Sequence, residues 1–298
     1  MSGSSNEAFR HETNLRQLEL AVTRKLDGLL HGEYQAAFVG PGFERGEGRP
    51  YLPGDDARRI DWSLTARMNE VHVRDTIADR ELETWLVVDA SASLDFGTSR
   101  WEKRDLALTA AAAFGLLGAR SGNRIGALVF DGEGTKIIPP RGGRTAMMQL
   151  LRRLDQRPRA TQSVASLTDA LRTARGTARR RGRVVVISDL MDDGPWVTEL
   201  RSLGARHDVI VAEVSDPREW SLPATGLLTL VDPESGRRLE VQTNDPAVRL
   251  RFAEAAAKKR NETDLAVRSA GARHLSLSTD RDWMLDLVSF ATTARRAG

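Results

Sequence analysis

Glu83-Thr84-Trp85-Leu86-Val87-Val88-Asp89-Ala90-Ser91-Ala92-Ser93 is the stretch on which the reading of this chain turns. Its first half is an apolar run with no polar alternation, the pattern of a strand buried on both faces of a parallel sheet. The run stops at an aspartate, and two serines follow at alternate positions. A loop in which residues 89, 91 and 93 face one side brings a carboxylate and two hydroxyls together. Those are hard oxygen ligands, suited to Mg²⁺, Mn²⁺ or Ca²⁺ and not to zinc or copper. Serine after a strand also serves as a helix cap, and Ser99 is placed to cap the next helix.

Outward from this stretch, the same pattern recurs at residues 184–188, again ending in an aspartate, Asp189. Strands are expected at residues 83–88, 124–130, 136–138, 184–188, 208–214 and 273–277. Helices are expected between them, at 101–120, 145–155, 167–181, 195–203, 246–269 and 281–295. Strands alternating with helices predict an α/β fold with a doubly wound, mostly parallel sheet. In such sheets ligands bind beyond the carboxyl ends of the strands, where the strand order reverses. Asp89 and Asp189 both belong there. Pro233-Glu234-Ser235-Gly236, flanked by apolar runs at 227–231 and 238–241, signals a hairpin inserted at 222–244.

Upstream, residues 12–31 place Leu15, Leu18, Val22, Leu26, Leu29 and Leu30 at helical spacing, so an N-terminal amphipathic helix is expected. Residues 40–56 are rich in glycine and proline, Asp55 or Asp56 can cap a short helix from Ala57, and residues 71–77 suit a strand. The division expected is therefore a tail and helix over 1–34, a distinct segment over 35–82, and the α/β domain over 83–298. Segment 35–82 and the hairpin are expected to supply a small β-rich module.

Composition removes several functions. The 298 residues include no cysteine, which excludes disulfides, thiolate zinc sites and a cysteine nucleophile. The five histidines are scattered, and there is no phosphate-binding GxxxxGK[ST] loop. No apolar run is long enough to span a bilayer, and the first ten residues lack a signal-peptide layout, so a cytoplasmic protein is expected. Net charge is only +3, yet residues 152–183 hold ten arginines. That run is either a surface for nucleic acid or a solvated helical face; without interleaved aromatics to stack bases, the second is the simpler account.

The Asp89 loop resembles the metal-ion-dependent adhesion site of the von Willebrand A superfamily. A narrower resemblance comes from Arg49-Pro50-Tyr51-Leu52-Pro53-Gly54-Asp55-Asp56-Ala57-Arg58-Arg59-Ile60-Asp61-Trp62, followed by Ala66-Arg67 and Val73-Arg74. With Asp216-Pro217-Arg218-Glu219, Leu222-Pro223, Asp232-Pro233-Glu234-Ser235-Gly236 and Ser278-Thr279-Asp280, it is similar to domain-of-unknown-function family fifty-eight over residues 35–296. The resemblance implies a von Willebrand A-like fold and a non-enzymatic adaptor. Its implied partner is a MoxR-type AAA+ ATPase, a client protein or both, in chaperone-like assembly or maturation.

By the same resemblance, Asp89, Ser91, Ser93 and Asp189 map onto a magnesium site. The threonine that would complete it falls on Ala165, which has no oxygen ligand. Ser163, Ser166 or Thr168 can substitute, and Asp192 can reach the metal through water, so weak metal binding is expected. In the hallmark segment, Tyr51, Asp55, Asp56, Arg58, Arg59, Asp61 and Trp62 are candidates for partner contact. Their simpler account is a turn, a helix cap, an ion-pair network and aromatic cover for a sheet edge. Two alternatives to the adaptor remain: a metal-dependent hydrolase at Asp89 and Asp189, and nucleic-acid binding through the arginine run.

Overall fold

Along the strand that opens at Glu83, Leu86 and Val88 face one side of a sheet and Trp85 and Val87 the other, and all four are buried. The computed structural model describes Leu20 and residues 48–52, 60, 62–68, 70–74, 82–160 and 165–296. The chain divides into two compact units, Pro41–Glu81 and the remainder. The N-terminal helix expected over 12–31 and the residues Asp55, Asp56, Arg58, Arg59, Asp61 and Ser163 lie outside the described residues.

In the smaller unit, β1 (Gly48–Pro50) precedes α1 (Trp62–Met68) and β2 (His72–Arg74), and β1 and β2 pair antiparallel. Ile60 adds a single bridge to Val73, which is buried. The Tyr51 N–H donates to the Val71 carbonyl at 2.7 Å, and the His72 N–H donates to the Thr65 hydroxyl at 3.0 Å. Trp62 does not cover a sheet edge as expected: it opens α1 with 71% of its surface exposed, while Tyr51 is half-buried.

The larger unit runs β3 (Glu83–Asp89), α2 (Lys103–Arg120), β4 (Arg124–Asp131), β5 (Gly134–Arg141), α3 (Arg144–Asp155), α4 (Leu167–Thr177) and β6 (Gly182–Ser188). It continues through α5 (Trp196–Gly204), β7 (Asp208–Ser215), β8 (Leu227–Val231), β9 (Arg238–Gln242), α6 (Pro246–Ser269), β10 (Arg273–Ser278) and α7 (Trp283–Arg296). Six strands form one sheet in the order β10-β7-β6-β3-β4-β5, parallel except for the antiparallel β5. Counted from β3, the order reverses between β3 and β6, which is where such sheets hold ligands. Helices α2, α3 and α7 bury one face of the sheet and α4, α5 and α6 the other. β8 and β9 pair with each other as a separate two-stranded sheet.

One expectation about helix starts is corrected. Ser99 does not cap α2: the N-cap is Glu102, whose backbone N–H donates to the Asp105 carboxylate at 3.1 Å. The preceding loop is held elsewhere. Asp216 accepts the Thr98 N–H at 2.8 Å and the Thr98 hydroxyl at 2.6 Å, so the helix begins only after this anchored segment ends.

Candidate metal centre

Register places the first two groups of the site. Val88 pairs with Ile187 across the β3–β6 ladder, so the next residues, Asp89 and Ser188, emerge side by side at the carboxyl ends. The Ser188 hydroxyl donates to Asp89 Oδ2 at 2.7 Å, and the Ser91 N–H donates to Asp89 Oδ1 at 2.9 Å. A 3₁₀ turn at Ala92–Asp95 folds the loop back, bringing the Ser91 and Ser93 hydroxyls to 2.9 Å from each other. The turn is pinned from outside: Asp95 accepts from Arg104 at 3.0 Å and from the Ala160 N–H at 2.9 Å.

Asp189 enters from the other strand end. The Ser93 hydroxyl lies near enough to favour the charge on its carboxylate, and the Met191 N–H donates to its Oδ1 at 3.2 Å. Between them Leu190 has φ 58°, a left-handed backbone that a bulky side chain adopts only under constraint from its surroundings. Asp89, Ser91, Ser93 and Asp189, the four residues singled out in the sequence, therefore meet in one buried cluster.

Two further residues were not anticipated there. Lys103, the first residue of α2, is 1% exposed, and its ammonium donates to Asp189 Oδ2 at 2.8 Å. It also donates to Glu219, from the motif Asp216-Pro217-Arg218-Glu219 after β7. Asp216 organises that motif: fully buried, it caps a 3₁₀ turn through the Arg218 N–H at 2.9 Å and accepts the Thr279 hydroxyl at 2.6 Å. The turn delivers Glu219 to Lys103.

Of the proposed substitute ligands within the described residues, Ser166 is engaged elsewhere and Thr168 is not. Ala165 does line the site. The Ser166 hydroxyl caps α4, accepting the Asp169 N–H at 3.1 Å. The Thr168 hydroxyl is buried and has no hydrogen-bond partner among the described residues. Asp192 does not cap α5, where Pro195 takes that position; its carboxylate instead accepts the Thr168 N–H at 3.2 Å and the Gly194 N–H at 2.5 Å. A cavity of about 610 Å³ opens over the cluster, bounded by Asp89, Ser93, Lys103, Asp189 and Glu219 and by the β8–β9 turn at Asp232, Pro233 and Glu234.

A family model described as "Protein of unknown function DUF58" matches residues 47–262. The chain belongs to the DUF58 family. It is 50% identical over 283 residues to the protein Rv1480 of Mycobacterium tuberculosis, covering 95% of this chain and 89% of that one. It is 41% identical over 160 residues to MAV169 of Mycobacterium avium, covering 53% of this chain and 94% of that one. Among solved structures it is similar to BatB from Bacteroides thetaiotaomicron, with TM-score 0.43, 13% identity, and 72% of this chain and 98% of that chain covered. It is also similar to the SpRpn10 VWA domain, with TM-score 0.41, 10% identity, and 70% and 93% covered. The fold of this DUF58 chain rests on its own strand order.

Electrostatically the cavity holds more negative than positive charge. Burial, with the Asp189 charge beside it, pushes the Asp89 carboxyl up to about 6. Burial works the same way on Asp189, but the Lys103 ammonium, its hydrogen bond and the nearby Ser93 hydroxyl outweigh it and hold that carboxyl below its usual range. Burial opposes the charge on Lys103 too, and the two carboxylates overcome it, so the lysine stays protonated. Glu234 is pushed up to about 7, by partial burial and then by Asp189 and Asp89.

These residues fit a hard divalent cation. Two carboxylates and two hydroxyls converge, and positive charge in the cavity would relieve the repulsion that raises Asp89 and Glu234. Among the described residues no group of three or more histidines, aspartates or glutamates is placed to hold a metal ion, so a cation here would rest on the two carboxylates, the hydroxyls and water. Among the described residues no histidine lines the cavity.

Several arginines of the run make ion pairs. Arg157 and Arg159 engage Asp95 and Glu102, Arg172 and Arg175 share Glu199, and Arg183 holds Asp208. Among the described residues no helix is long and apolar enough to cross a membrane.

Proposed function

We propose that this DUF58 chain is a non-enzymatic, metal-assisted adaptor that binds a protein partner through the β3–β6 strand ends. The reading is carried by the meeting of Asp89, Ser91, Ser93 and Asp189 in one buried cluster at the reversal of strand order, with a cavity bounded by Asp89, Ser93 and Asp189. Asp89, Ser91 and Ser93, with Asp189, would hold Mg²⁺ there, and the cation would supply an open position for a carboxylate from the partner. Lys103 positions Asp189, and Glu219 and Asp216 position Lys103. The partner we assign, on the family resemblance, is a MoxR-type AAA+ ATPase or a client shared with it, in assembly or maturation. With Ala165 in place of an oxygen ligand, metal held by the protein alone is weak and the partner's carboxylate completes its shell.

The test is co-purification from the native host, comparing wild type with Asp89→Ala, with and without EDTA. Partners lost both on chelation and in the variant support the proposal. Partners retained in both conditions by both proteins overturn it and move attention to the Tyr51–Trp62 segment.

Metal-dependent hydrolysis has one observation in its favour. Glu234 brings a further carboxyl, the group a general base needs, to the cavity that Asp89 and Asp189 line. Turnover of phosphodiester or peptide substrates that needs both Mg²⁺ and Glu234 would establish that reading over the adaptor.

A further inference from the structure

Ala90, the residue after Asp89, also borders a second cavity, of about 690 Å³, which the metal reading does not use. Its apolar lining comes from Val129 of β4, Ile138 of β5 and Leu154 of α3. β5 is the last strand of the main sheet among the described residues. Three of its consecutive residues, Lys136, Ile137 and Ile138, border the cavity. Side chains alternate between the two faces of a strand, so consecutive residues share a cavity only where it laps over the strand's edge. Ile137 is 49% exposed at that edge.

The rest of the lining is basic. Arg157, its side chain 13% exposed, donates to the Ala90 carbonyl at 3.1 Å and lies 3.4 Å from Asp95, a carboxylate that Arg104 also engages at 3.0 Å. One carboxylate therefore serves two guanidinium groups. Burial, which Asp95 offsets only in part, pulls the Arg157 pKa below its ordinary value. Arg159 is committed to Glu102 at 2.8 Å. Arg153 is exposed in the last turn of α3, and its guanidinium makes no hydrogen bond or ion pair among the described residues. The acidic residues on the lining, Asp131 and Glu133, are both paired with Lys136, at 3.4 Å and 3.6 Å. Positive charge without a full complement of carboxylate thus stands beside an apolar surface at a strand edge.

We infer that this groove docks an extended segment of a partner protein in which glutamate or aspartate alternates with apolar residues. Its carboxylate meets Arg153 and Arg157, and its apolar side chains cover Val129, Ile138 and Leu154. An extended segment suits the place because an edge strand has backbone groups that its one neighbour does not take. Pro139 and Pro140 carry no N–H, which confines such pairing to the start of β5, beside the groove. Nucleic acid fits less well. Among the described residues no aromatic side chain lines the groove to stack bases, and one uncommitted arginine cannot track a run of phosphates. The docking needs no cation, so it stands or falls apart from the metal reading.

The experiment uses the full chain in EDTA, with a fluorescein-labelled peptide Gly-Glu-Val-Glu-Ile-Glu-Val-Gly as probe and fluorescence anisotropy as readout. Wild type is compared with Arg153→Glu, with Ile137→Ser, and with Arg201→Glu, which makes the same charge reversal at an exposed residue of α5 on the other face of the sheet. All three positions are exposed, and urea denaturation checks that each variant is folded. Arg153→Glu is expected to weaken the peptide about tenfold, Ile137→Ser several-fold, and Arg201→Glu not at all. A peptide with lysine in place of each glutamate, and a labelled oligothymidylate of equal length, are expected to bind more weakly than the acidic peptide. The inference falls if wild type does not bind the acidic peptide, or if Arg153→Glu or Ile137→Ser binds it as wild type does. It falls too if Arg201→Glu loses as much as Arg153→Glu, because net charge then explains the attraction. Tighter binding of the oligothymidylate would assign the surface to nucleic acid instead. None of these outcomes bears on the metal site, whose own test is the loss of partners on chelation.

Discussion

Replacing Lys103 with methionine isolates the part of the site that the protein neutralises by itself. The side chains of Lys103, Asp189 and Glu219 are 1%, 3% and 16% exposed, so solvent screens these two ion pairs little. Methionine keeps the length and most of the packing but removes the ammonium. Breaking a buried pair and leaving its partner charged costs roughly 3–5 kcal/mol. The same principle says that removing the whole set is far milder. Lys103→Met should therefore lose about 3–5 kcal/mol in urea denaturation under EDTA near neutral pH. In a domain of this size that is a fall in Tm of about 10 °C.

The triple variant Lys103→Met/Asp189→Asn/Glu219→Gln should recover most of the loss. Excess Mg²⁺ should stabilise Lys103→Met more than wild type, since a cation then meets an Asp189 carboxylate released from its ammonium, and binding to the folded state alone adds stability by mass action. A loss under about 1 kcal/mol for the single variant would refute the reasoning. So would a triple variant no more stable than the single one. Either outcome would mean that Lys103 does not hold the buried carboxylates in solution.

Three other outcomes follow from the same structure. Asp89→Asn should unfold in EDTA at least as stably as wild type, because the raised proton affinity of Asp89 marks a carboxylate that burial disfavours, and it should lose all stabilisation by Mg²⁺; thermal melts with and without metal check both. His274 bridges Glu213 at 2.9 Å and Asp264 at 2.8 Å. Burial opposes its charge, but the adjoining Glu213 and Asp264 carboxylates, the latter hydrogen-bonded to Nδ1, raise its pKa above the ordinary value. Its contribution is complete below an unfolded pKa of about 6.5 and is lost as pH rises through the raised value, so His274→Gln should flatten the alkaline side of the stability profile. At Gly182 an added Cβ would lie 2.1 Å from the Glu83 carbonyl oxygen on the neighbouring strand. Gly182→Ala should therefore lose about 1–3 kcal/mol by urea denaturation, and a neutral result would mean that β3 and β6 part more readily than this close approach implies.

Which parts of this protein were legible in its sequence follows from how far apart the determining residues lie. Strands buried on both faces announce themselves as local apolar runs, and the aspartates that end β3 and β6 mark the carboxyl edge, so four site residues could be named from two short stretches. Lys103 could not. It sits within Glu102-Lys103-Arg104-Asp105, a run that looks solvated, at the start of a helix where a cation meets an unfavourable dipole. The partners that bury it lie 86 and 116 residues onward. The false cap at Ser99 has the same origin, since the loop is held by Asp216, 118 residues from Thr98. The arginine run left two accounts open because partners such as Glu102, Glu199 and Asp208 are remote in sequence.

Glu219 and Glu234 are the instructive pair. Both lay in motifs visible as family signatures and legible locally only as a turn and a hairpin tip. In the fold each brings a carboxylate from a preset turn to the β3–β6 strand ends. A signature whose local structure is an ordinary turn is thus a reason to ask what side chain the turn carries, and to which distant charge. Here the two turns meet opposite conditions. Glu219 finds a lysine and is spent, while Glu234 is held among like charges.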